Sequence, residues 1–252
     1  MKAQSTTALV KAVAKKVLDS QVEDKYVAYT LYPAPPGTQG YPISFNASIT
    51  TGSELYPLLP PLLNGVSSYQ RVGDRIRPKR FTVDVIVSAN GGLTSSQLNM
   101  VRLFLISDKS YGNWDDVRTN TPITTELLNN GAGTQGFTGI PHTLCMPVNA
   151  ERYKVHHDKI LQVRAGQGQT PNSTNSYVGT QAFVGTQQAW KLRFVIPTPA
   201  VLKYSAFNSD YPTNFAPFIC LGYIQPDGNA SPDNLITRVQ MIYRSHLWFE
   251  DA

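Results

Sequence analysis

The sequence has little cysteine, little charge and no long apolar run. Its two cysteines, Cys145 and Cys220, form no C-x-x-C pair. That excludes a cysteine-rich zinc site, and a single disulfide stays open without being signalled. Only 15% of residues are charged, and the acidic side chains are few and scattered, which argues against a glycosidase pair. No stretch reaches the roughly 18 apolar residues that a spanning helix needs, so no membrane insertion is expected. Lys11, Lys15 and Lys16 interrupt the apolar residues between Ala8 and Leu18, so no secretion signal is expected there. A G-x-S-x-G elbow, a phosphate-binding loop and an H-E-x-x-H helix are all missing, and neither catalysis nor a cofactor is expected. His156 and His157 are neighbours, and neighbours on a strand point to opposite faces. His142 and His246 add no H-x-x-x-H spacing, so no metal is expected. Asp108, Asp115 and Asp116 lack a D-x-D-x-D frame for calcium.

What the chain does have is turn formers and strand formers. Glycine and proline supply 18 residues each, tyrosine supplies 13, and threonine, valine and asparagine are frequent. Such a composition builds many strands and few helices. The net charge of +5 permits a polyanionic partner without demanding one.

Residues 5–19 read as the one helix, capped by Ser5 or Thr6, with Leu9, Val13 and Val17 forming an apolar stripe. This helix makes residues 1–24 an N-terminal arm, facing nucleic acid, a neighbouring subunit or its own domain, and leaves 25–252 as one β domain. The Pro- and Gly-rich stretch from Pro33 to Pro42 joins short strands at Lys25–Tyr32 and Ile43–Thr51. Leu55–Gly65 is an irregular packed segment, because its prolines forbid a helix. From Arg75 the alternation is clear: Phe81, Val83, Val85 and Val87 point one way. Further strands are expected at Val101–Ser107, Arg152–Arg164 (with a kink at Asp158), Trp190–Pro197, Ala200–Tyr204 and Ala216–Gln225. A long last strand ends at Glu250. Polar loops, Asp108–Asn149 and Ala165–Gln188, separate them. The fold class is therefore all-β: an eight-stranded jelly-roll sandwich with long surface loops and a short N-terminal helix. The loops suit an outer surface that carries recognition.

Four segments carry a resemblance. Tyr69–Val87 contains Arg71, Gly73, Ile76 and Lys79 in an R-x-G-x-x-I-x-x-K run that leads into a strand. Val101–Lys109 ends in Asp108 and Lys109. Arg152–Val163 reads R-Y-x-V-x-x-D-K, and the closing strand is long. In this order and spacing they resemble the capsid proteins of small circular Rep-encoding single-stranded DNA viruses, the circovirus-like group. The resemblance implies a structural protein that self-assembles into a T=1 icosahedral shell around a circular single-stranded DNA genome. It places the protein in the virion, and in the host nucleus or cytoplasm during infection, with a host receptor the residues do not name. Alternatives are the coat of a small plus-strand RNA virus and a non-viral β-sandwich carbohydrate-binding module. One departure stands out: residues 1–40 hold no arginine, whereas the family's arm is dense in it. Either other groups neutralise the genome or the chain is a shortened form.

The candidate nucleic-acid-binding residues are therefore Lys11, Lys15 and Lys16 in the arm, and Arg71, Arg75, Arg77, Lys79 and Arg80 in the run before Phe81. Lysine and arginine bind phosphates without reading sequence. The same run also suits a solvated strand edge or a subunit contact.

Overall fold

The computed structural model describes Val10 and residues 24–30, 43–89, 98–164, 189–205, 209–224 and 239–251. The expected 5–19 helix and the 165–188 loop lie outside these residues, apart from Val10, which is helical. The described chain is mostly antiparallel sheet. Among the described residues it forms twelve strands, five of them only two or three residues long.

The first sheet is organised by two long strands, β4 (Arg75–Ala89) and β12 (Val239–Asp251), which pair along their whole lengths. β1 (Lys25–Thr30) and β2 (Ile43–Phe45) add to the far side of β12. β9 (Ala189–Val195) and β10 (Leu202–Lys203) add to the far side of β4. The second sheet runs β3 (Tyr56–Pro57), β11 (Pro217–Ile224), β5 (Leu98–Asp108), β8 (Tyr153–Arg164).

Between the sheets lies the main core. Phe81, Val83, Val85 and Val87 of β4 meet Leu103, Leu105, Ile219 and Leu221 of the second sheet, with Tyr243, Leu247 and Phe249 of β12. Leu55, Leu58, Leu59 and Leu62 of the proline-broken segment are all buried. The Tyr243 hydroxyl donates to the carbonyl of Pro57 at 2.6 Å and so joins β12 to that segment.

The 109–150 segment differs from the expected polar loop. It folds into α1 (Trp114–Asn120), α2 (Ile123–Glu126), a hairpin of β6 (Leu128–Asn129) and β7 (Thr134–Gln135), and a 3-10 turn at Pro141–Leu144. The Asn113 side chain caps α1 by accepting from the amide of Asp115. Trp114, Val117, Ile123, Leu127, Phe137 and Leu144 then pack on Phe104, Ile106, Phe218 and Cys220, forming a second core on the outer face of the second sheet. Its apolar residues are too widely spaced among Gly, Asn and Thr to show a helical or strand period. Gly222 makes room for this layer: a Cβ there would meet the Phe137 ring at 2.3 Å. Cys220 lies buried in this core and Cys145 is exposed, both as free thiols.

A buried cation clamps the layer down. Arg102 is 4% exposed. Its Nε and Nη2 donate to the two carboxylate oxygens of Asp158 at 2.9 and 2.6 Å. Its Nη1 donates to the carbonyls of Thr143, Leu144 and Met146. Asp108, expected in a loop, closes β5 and is buried, accepting from Thr121, Arg152 and the Ser110 amide. The break in β8 falls at His156, one residue skipped opposite Leu105 and Ile106, rather than at Asp158.

Two outcomes follow from this packing. Removing one partner of a buried ion pair strands the other, so Arg102→Ala is expected to lower folding stability by about 3–5 kcal/mol, measured by urea unfolding. His156 is half-buried against Phe215 and bonded to the Ser107 hydroxyl at 2.8 Å. Burial first, then the charge of Lys154, holds its imidazole down at about 4. An unfolded histidine titrates near about 6.5, so between these values only the unfolded chain takes up the proton. Stability is therefore retained above pH ~6.5, falls as pH drops toward ~4, and levels off below. His156→Gln should flatten that window, in which the wild type loses about 2 kcal/mol.

Candidate nucleic-acid interface

The 109–150 layer covers the outer side of the second sheet, and among the described residues nothing covers the outer side of the first. Strand alternation decides what it presents. On β4, Ile76, Phe81, Val83, Val85 and Val87 point inward, and Arg75, Arg77, Arg80, Thr82, Asp84 and Ile86 point out. β12 contributes Arg244, His246, Trp248 and Glu250 to the same outer face, β9 contributes Lys191 and Arg193, and β10 contributes Lys203. Lys79 is the skipped residue where β4 slips against β12 between Trp248 and Phe249. Pro78 beside it has no amide to offer the ladder, which favours an irregularity there.

Eight cations therefore share this face: Arg75, Arg77, Lys79, Arg80, Lys191, Arg193, Lys203 and Arg244, all exposed. The acids its strands turn to this face are Asp84 and Glu250, while Asp251 at the end of β12 bonds buried Lys25. Lys79 bridges Asp24 at 2.5 Å and also Glu250, and these bonds raise its pKa. Arg193 grips both oxygens of Asp84 at 2.6 and 2.8 Å, which lowers the pKa of that carboxyl. Arg75, Arg77, Arg80, Lys191, Lys203 and Arg244 make no ion pair among the described residues. Exposed guanidinium and ammonium groups without a carboxylate partner are what a polyanion binds by releasing its counterions.

Of the residues expected from the sequence, Arg75, Arg77, Lys79 and Arg80 come together here. Lys11, Lys15 and Lys16 lie outside the described residues. Arg71 parts company with the run. It is fully buried, and its guanidinium donates to the carbonyls of Leu62, Gly73 and Ser209 while lying 4.2 Å over the Tyr204 ring. It has no surface to give a phosphate. Instead it ties the 62–73 turn to Tyr204 and Ser209. Nearby, buried Lys25 bonds Asp251 at 2.6 Å and the Gln70 carbonyl at 3.0 Å.

Lys191, Arg193, Lys203 and Arg244 were absent from the sequence-derived set, as were the outward rings of Tyr26, His246 and Trp248. Alternation along the closing strand puts Arg244, His246 and Trp248 on one face, but only pairing reveals that they join Arg80. Among the described residues, no three His, Cys, Asp or Glu side chains are grouped to hold a metal, and no helix is long and apolar enough to cross a membrane. The chain matches no protein-family model, and no curated protein is similar to it in sequence.

Arg71→Ala is expected to lower folding stability by about 3 kcal/mol, because it leaves buried carbonyls unpaired. Arg75→Ala, on the open face, should stay within about 0.5 kcal/mol of wild type. Thermal unfolding of the two variants side by side checks the distinction.

Proposed function

We propose that this chain is a viral capsid protein that self-assembles into a small T=1 icosahedral shell and encloses a circular single-stranded DNA genome, with the cationic face of the first sheet turned to the interior. The observation that carries the reading is the order of the strands. The path β1/β2–β12–β4–β9 within the six-stranded sheet and β3–β11–β5–β8 in the four-stranded one supports a jelly-roll reading. Along the chain, β4 enters the first sheet, β5 and β8 the second, β9 the first, β11 the second and β12 the first, as two interlocked Greek keys require. We read β6, β7 and β10 as additions to that frame.

Two further features support assembly. Exposed apolar side chains sit on separate flanks: Leu63, Val66, Tyr69 and Val72 on one turn, and Val155, Ile160 and Val195 where β8 approaches β9. Apolar groups gathered on surfaces mark contacts with partners, and repeated symmetric contacts close a shell. β8 also pairs on one side only among the described residues, and so offers an edge for a neighbour. The genome choice of DNA over RNA comes from the family resemblance of the four sequence segments, since phosphate contacts do not distinguish the two.

Full-length protein, expressed alone and viewed by negative-stain microscopy and size-exclusion chromatography, is expected to give uniform megadalton particles containing nucleic acid. Replacing Arg75, Arg77, Arg80 and Arg244 with glutamine should lower the ratio of absorbance at 260 nm to that at 280 nm while particles persist. A stable monomer or small oligomer at every ionic strength and high concentration overturns the capsid reading, and favours the carbohydrate-binding alternative.

A further inference from the structure

The outward face holds a cluster of rings as well as cations. Tyr26 of β1 and Trp248 of β12 are direct cross-strand partners, with ring centroids 5.0 Å apart. His246, two residues along β12, lies 6.0 Å from each of them and nearly parallel to both, at 22° and 17°. Arg80, opposite Trp248 on β4, brings its guanidinium carbon 5.4 Å over the indole. Large rings left on an outer face usually bury themselves or find a partner. Tyr26 nevertheless remains 41% exposed, and Trp248 is only partly covered.

A chain of polar contacts braces the rings. The Tyr26 hydroxyl donates to Nδ1 of His246 at 2.6 Å, and Nε2 of His246 donates to Asp84 at 3.3 Å. Asp84 is in turn held by both nitrogens of the Arg193 fork. Four strands thus contribute one residue each to a line that fixes the ring orientations before any ligand arrives. The cations Arg80, Arg77 and Arg244 surround the cluster.

We propose that Tyr26 and Trp248, braced by His246 and flanked by Arg77, Arg80 and Arg244, form a platform that stacks unpaired bases of a single-stranded nucleic acid. The inference deepens the capsid reading and rests on it for the direction in which this face points. Every base has a π face, so such a platform takes single strands without regard to sequence. A duplex keeps its base faces against one another, and offers this surface only phosphates. The ring cluster therefore discriminates by strandedness where the cations do not.

The test uses the full-length chain below its assembly concentration, with a fluorescent oligothymidylate and a blunt DNA duplex of equal length. Trp248→Ala should weaken binding of the single strand by about tenfold, leave duplex binding unchanged and keep the salt dependence of wild type. Arg77→Gln with Arg80→Gln should weaken both ligands and flatten the salt dependence. Indole fluorescence of the wild type should be quenched by the single strand, and Trp248→Phe should lose most of that quench while keeping most of the affinity. Circular dichroism checks that the variants fold. Should Trp248→Ala fail to fold, Tyr26→Leu and Trp248→Phe decide the matter. Folded variants that bind the single strand as wild type does, or that lose both ligands equally, overturn the platform and leave the rings as braces of the sheet. Microscopy of concentrated samples of the same proteins separates the two readings. Particles without Trp248 dependence overturn the platform alone, and Trp248-dependent binding by a chain that never assembles overturns the capsid reading alone.

Discussion

The contact between Arg102 and Asp158 decides which surface of this molecule is left open. Through it, the turn at Thr143–Met146 is held on the second sheet, and with that turn comes the whole 109–150 layer. Strands β11 and most of β5 beneath it are thereby buried on both faces, as the unbroken burial of β11 records, while β8 at the edge keeps Val155 and Ile160 exposed. A buried guanidinium is costly to desolvate, and here a bidentate carboxylate and three carbonyls offset that cost together. Once the second sheet is covered, the first carries the exposed face, and its outward residues set what the molecule meets.

That exposed face is built by two long strands rather than by any local motif. β4 and β12 are distant in sequence and pair over their full lengths, so each outward residue of one acquires a neighbour from the other. Trp248 gains Arg80 and Asp84 gains His246 in this way, and β9 on the other side of β4 adds Arg193 to Asp84. The slip at Lys79 changes the phase of the strand, so that Arg75 and Arg77 before it and Arg80 after it all point outward. Without the slip, strict alternation would send Arg80 to the face opposite Arg77 and Arg75.

Charge on this molecule therefore has two roles that composition does not separate. Arg71, Arg102 and Lys25 are buried and serve as joints, each saturated by carbonyls or carboxylates. Arg75, Arg77, Arg80, Lys191 and Arg244 are solvated and free of ion pairs among the described residues. Arg71 stands four residues from Arg75 in the same basic run, yet their surroundings differ completely. A turn carries the first into the interior, and the strand keeps the second outside.

The long strands were legible in the sequence because period-2 alternation is a local property, set by the geometry of each residue. Phe81 to Val87 and the closing run from Val239 to Phe249 declare their inward faces without reference to anything else. Proline likewise announced the irregular segment from Leu55 to Leu62. The folded layer between Asp108 and Asn149 was not legible, since its apolar residues follow no period and bury themselves only against a sheet built from distant strands. The fate of Arg71 and the gathering of Tyr26, His246, Trp248 and Arg80 also awaited the tertiary structure. Alternation tells which side of a strand a residue occupies, but only pairing and covering decide whether that side meets water, a core or a neighbouring ring.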